Sequence, residues 1–116
     1  MKASELRIGN YINNEQRTEV VMSIDDWKIE CHLLTDSDTL YEVSMSLIKP
    51  IPITQEWLDN LGFEGWDIGI YTLMLRSGDF RRLGAGDPLA NNIKHVHQLQ
   101  NLYFALTGVE LITNKI

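Results

Sequence analysis

Three groups of residues in this 116-residue chain have the types and spacing that chemistry could use. The first is His95-x-His97. In an extended strand the two imidazoles would point to one side, as two metal ligands do. A metal needs at least a third ligand, which only folding could bring from His32, Cys31 or Asp87. A helix beginning at His97 would instead make the rings diverge, so the pair predicts structure rather than a metal centre. The second group is Arg76, Arg81 and Arg82, which place three of the ten bases around one hairpin beside Phe80. Bases with an aromatic neighbour suit an anion or a stacked nucleic-acid base. The third is Gly84-x-Gly86. It has neither the following Lys-Ser/Thr nor the third glycine of the phosphate-binding patterns, and Asp87-Pro88 after it reads as a turn.

The remaining reactive types are scattered. Asp25, Asp26, Asp36 and Asp38 fall between expected strands, where Asp is favoured for its local hydrogen bonds. Cys31 is the one cysteine. It lies on the apolar face of its strand, so it reads as a small buried side chain rather than a nucleophile. These readings predict no catalytic residue, no cofactor and a non-enzymatic accessory protein, with a nucleic-acid-binding module on the Arg76–Arg82 hairpin and a metal-dependent enzyme at His95 and His97 as the alternatives.

Charge bears on the partners. The net charge is −6 and the pI about 4.9. The first 50 residues hold nine acids and five bases, the remainder seven and five. Neither half is a basic module, which disfavours nucleic acid. No apolar run approaches the ~20 residues that span a bilayer, and Met1–Arg7 lacks the apolar segment of a signal peptide. The expectation is a cytoplasmic protein without membrane contact.

The elements that would position these residues read as α+β. Leu6–Ile12 predicts a first strand bent at Gly9-Asn10, before a polar turn at Asn13–Gln16. Val20, Met22 and Ile24 alternate with Val21, Ser23 and Asp25. Trp27, Ile29, Cys31 and Leu33 alternate with Lys28, Glu30 and His32, the period of a strand with one buried face. Tyr41, Val43, Met45 and Leu47 continue the pattern. Residues 1–49 therefore predict an antiparallel meander, able to curl into a small SH3-like barrel.

Pro50-Ile51-Pro52-Ile53 marks a boundary, because each proline lacks an N–H and extends the residue before it. Thr54 caps a helix over Gln55–Leu61 with Trp57, Leu58 and Leu61 as its stripe, and Gly62-Phe63 closes it. Trp66–Arg76 and Asp79–Leu83 form a hairpin around Ser77-Gly78. The longer strand is apolar on both faces, so something must cover each. A short strand at Asn92–Val96, a helix from His97 to Gly108 carrying Leu99, Leu102, Tyr103 and Leu106, and a strand at Val109–Ile112 complete residues 50–116. The two modules are expected to share one core. Trp27, Trp57, Trp66, Tyr71, Tyr103 and Phe104 exceed what so small a core hides. Phe104 lies off its helix stripe and is an interface candidate, with a protein partner or a second copy of the chain as its occupant.

Four stretches carry a family resemblance: Leu6-Arg7-Ile8-Gly9-Asn10-Tyr11, then Pro50-Ile51-Pro52-Ile53-Thr54-Gln55-Glu56-Trp57-Leu58, then Leu61-Gly62-Phe63, then His97–Gly108 with Glu110-Leu111. Together they resemble a family of small proteins of Bacteroides-type gut bacteria and their phages or prophages. The similarity covers both ends and the middle helix, not residues 13–48 or 67–92. It implies a mobile-element setting and no activity, cofactor or site residue.

Overall fold

A computed structural model describes residues 1–15, 17–74, 77–82 and 89–113. The fold is α+β, with antiparallel sheets of five and three strands and two α-helices among the described residues. The chain divides into two units, one spanning Met1–Ile51 and the other beginning at Pro52.

The first unit is a sheet of β1 (Tyr11–Asn14), β2 (Arg17–Ile24), β3 (Lys28–Leu33), β4 (Asp36–Ser44) and β5 (Ile48–Lys49), in the order β4-β3-β2-β1-β5. Among the described residues β4 and β5 are its edges, so the strand pairing does not close into a barrel. Leu6–Asn10 is a turn rather than the start of β1. Gly9 takes φ +97°, and the Asn10 side chain accepts from the Arg7 N–H at 2.7 Å. This turn docks on β2 through Gly9 N–H to Val21 O at 2.7 Å and Val21 N–H to Asn10 O at 2.9 Å. The fifth strand follows a 3-10 turn at Met45–Leu47 and returns to β1, pairing Ile48 with Asn14.

Two irregularities move side chains off the faces that alternation assigns. On β2 the register passes from Val21↔Cys31 to Ser23↔Glu30, which leaves Met22 as the extra residue of a bulge. Val21 is therefore buried, Met22 is exposed and Ile24 packs on the core. Trp27 precedes β3, in a turn closed by Asp25 N–H to Lys28 O at 2.9 Å, and is 63 % exposed instead of sharing the face of Ile29 and Cys31. Leu47 is exposed for a similar reason, since the 3-10 turn ends the alternation of β4. The core holds Leu6, Ile12, Val21, Ile29, Cys31, Val43, Met45 and Ile48.

The second unit begins with α1 (Gln55–Asn60). Thr54 Oγ1 accepts from the Trp57 N–H at 3.2 Å. At the other end Gly62 has φ +94°, its N–H donates to Asp59 O, and the Phe63 N–H reaches Leu58 O at 2.9 Å. This pair of bonds satisfies carbonyls the last turn would leave open. Leu58, Leu61 and Phe63 are buried, whereas Trp57 is only half-buried.

The apolar stretch after Trp66 is two short strands. β6 (Asp67–Ile68) turns at Gly69-Ile70, with Gly69 at φ +56°, into β7 (Tyr71–Met74), which pairs with β8 (Asp79–Arg82). The stretch folds back on itself and still leaves Trp66, Ile70 and Met74 exposed. Gly78, in the β7–β8 connection, has φ +70°, and a Cβ there would stand 2.9 Å from the backbone N of Ile93. Ile93 N–H donates to Gly78 O at 2.8 Å, so this close approach is a backbone bond.

The final helix, α2 (Val96–Thr107), is capped by Gly108 at φ +73°, whose N–H reaches Phe104 O at 2.8 Å. Its buried residues are Val96, His97, Leu99 and Gln100, with Leu102 and Tyr103 half-buried and Leu106 partly exposed. Residues 91–94 and 109–113 are irregular rather than strands; His95 makes an isolated bridge to Pro52, and Gln100 Nε2 donates to Leu111 O at 3.1 Å.

Candidate interaction surfaces

The best-organised surface lies on the β6–β7 hairpin and α1. Trp66 Nε1–H donates to Gln55 Oε1 at 3.0 Å. Gln55 Nε2 in turn donates to Gly65 O at 2.9 Å and to Asp59 Oδ1 at 3.0 Å. The amide is thus spoken for at both ends, and it fixes the indole against the first turn of α1. Trp66 is nevertheless 44 % exposed, Ile70 at the hairpin tip 50 % and Met74 40 %. Leu73 of β7 is fully buried. Tyr71 stacks on Phe80 with centroids 5.3 Å apart and meets Tyr103 of α2 edge-on at 6.4 Å. Aromatic side chains are enriched at the centres of protein interfaces, which makes this half-exposed, hydrogen-bonded indole the candidate to weigh.

The arginine hairpin is arranged differently from its sequence reading. Phe80 is fully buried between Leu73 and Tyr71, its register partner and its stacking partner. It is a core side chain and offers no face to a nucleic-acid base. Arg81 Nη2 donates to Asp79 Oδ2 at 3.2 Å, so part of its charge is compensated within the strand. Arg82 is exposed. Arg76 and the Gly84-x-Gly86 loop with Asp87 lie outside the described residues. Phe104 is 37 % exposed near the C-terminus of α2.

His95 is the N-cap residue of α2 and His97 its second helical residue. The rings do not diverge: their centroids are 5.9 Å apart and their planes within 16°. His97 is buried, and Gln98 Oε1 accepts from the backbone N–H groups of Lys94 and His95 at 2.9 and 3.0 Å, closing the helix start. Among the described residues no three His, Cys, Asp or Glu side chains converge as a metal site would require.

Sequence reasoning missed Glu19. Its side chain is fully buried, and neither carboxylate oxygen has a hydrogen-bond partner. It shares the core face with Cys31, two residues along from the Val21↔Cys31 pair. Burial pushes the Cys31 thiol up to about 12, assisted by the nearby Glu19 carboxylate, against a smaller opposing effect of Arg17, while the Sγ–H is directed at Tyr41 O at 3.7 Å. The one signal was Glu19 standing two residues from Val21, with which it shares a face. At the far end of the sheet, Lys28 Nζ bonds Glu42 at 2.9 Å and lies 5.1 Å from the Trp27 ring centroid. The Glu42 hydrogen bond holds Lys28 above its usual value.

No helix among the described residues is long and apolar enough to cross a membrane. No protein-family model matches the chain, and comparison with curated proteins and with solved structures found no match.

Proposed function

We propose that this chain is a non-enzymatic accessory protein that works through protein contacts, with the β6–β7 hairpin as its contact surface. The observation that carries the reading is Trp66: hydrogen-bonded to Gln55 and still nearly half exposed, on a hairpin that also exposes Ile70 and Met74. Ordering such a side chain on association costs little, because its rotamer is already set. The occupant is a second copy of the chain or a separate protein. A phage or prophage origin and a cytoplasmic location belong to the same reading; the first rests on the resemblance of the terminal blocks and the middle helix.

The test is a photo-crosslinking residue at position 70 of the full chain, irradiated in cells. The expected result is a discrete adduct that is lost on Trp66→Ser. No adduct from position 70, or one indifferent to Trp66→Ser, would overturn the reading.

A further inference from the structure

The turn joining β3 to β4 walls two cavities in the first unit. One, of about 220 Å³, is lined by Tyr11, Val20, His32, Leu34, Thr35 and Ser37. The other, of about 360 Å³, is lined by Arg17, Thr18, Leu33, Leu34 and Thr35. Among the described residues no Asp or Glu lines either cavity, although the chain has sixteen acids against ten bases. Arg17 is the one charged residue among the described residues that line the larger cavity.

Arg17 is exposed and makes no ion pair among the described residues. Its guanidinium carbon lies 5.6 Å from the Tyr41 ring centroid, a stacking contact that orients the group without using its donors. Glu19, two residues on, accepts no hydrogen bond from it. Arg17, a planar fork of N–H donors with no ion pair to a described residue, thus lines a cavity whose other described walls are two leucines and two threonines. Thr18 Oγ1 donates to Asn13 at a long 3.4 Å.

We propose that this cavity binds a small carboxylate with an apolar body. The carboxylate pairs with Arg17, and the body packs on Leu33 and Leu34. The guanidinium sets the sign of the ligand; the leucines distinguish an amphipathic acid from a bare anion.

The experiment is an amide-shift titration of the full chain with phenylacetate, phenylacetamide and acetate. Phenylacetate is expected to give saturable shifts centred on Arg17, Thr18 and Leu33–Thr35. Phenylacetamide and acetate should bind roughly tenfold more weakly, each lacking one half of the recognition. Arg17→Met keeps the apolar stem and should abolish the preference for acid over amide. Because Arg17 is exposed, the variant should keep the remaining spectrum, which checks its fold directly. Absence of saturation up to about 10 mM, equal shifts with acid and amide, acetate as strong as phenylacetate, or an unchanged preference in Arg17→Met would each overturn the proposal.

Discussion

The two units treat polar and aromatic side chains in opposite ways. The N-terminal sheet takes a carboxylate and a thiol into its core, Glu19 and Cys31 both without solvent exposure, and leaves Trp27 in solvent at a turn. The C-terminal unit buries an aromatic, Phe80, and holds a second, Trp66, half out of water by a hydrogen bond. The first unit hides a carboxylate whose oxygens have no hydrogen-bond partner. The second leaves a hydrogen-bonded indole half in solvent. Unsatisfied burial points to strain, whereas rigid exposure points to contact.

Substitutions that weaken one side of this contrast should differ in size and sign. Phe80→Ala, by emptying the centre of the second unit, should cost about 3–5 kcal/mol, read as a lower denaturation midpoint in urea. Gly78→Ala should cost about 1–3 kcal/mol through its left-handed backbone alone. The clash with Ile93 adds to this, so broadening or loss of the β7–β8 amide signals should accompany the drop. Glu19→Met reverses the sign. Removing two unpaired buried oxygens should raise stability by about 1–3 kcal/mol, seen as a higher midpoint. A lower midpoint would mean that Glu19 has a structural partner.

The smallest effect is one of pH. The native Cys31 thiol holds its proton to about 12, whereas the unfolded thiol loses it near 9.0. The folded state therefore binds more protons across that interval, and stability declines as pH rises through it. Below the lower value the contribution is complete. Cys31→Val should lack this component of the alkaline decline, as urea unfolding at a series of pH values would show.

Local chemistry made the C-terminal unit's helix ends legible. Thr54, Gly62-Phe63 and Gly108 act through bonds to residues three to five positions away, so their spacing alone specifies them. The exposed and buried faces of the sheets were less legible. A bulge at Met22 and a turn at Gly69-Ile70 each shift the period by one step, and neither is encoded by hydrophobicity. One slipped residue exchanges core and surface, as Val21 and Met22 show. Phe80 read as a surface aromatic because its neighbours Arg81 and Arg82 are charged, yet its cross-strand partner Leu73 decides where it goes. The break between units falls inside Pro50–Ile53, where the prolines interrupt regular hydrogen bonding. Trp66 was visible as an apolar residue, but its lock on Gln55 joins positions eleven apart and depends on the chain reversing at Gly62–Gly65.

The contrast between the units is tested most directly by photo-crosslinking the full chain in cells from two exposed apolar positions, 70 in the second unit and 47 in the first. The account predicts a discrete adduct from position 70, removed by Trp66→Ser, and none from position 47. Adducts from 47 alone, or equal yields from both that ignore the Trp66 substitution, would contradict it.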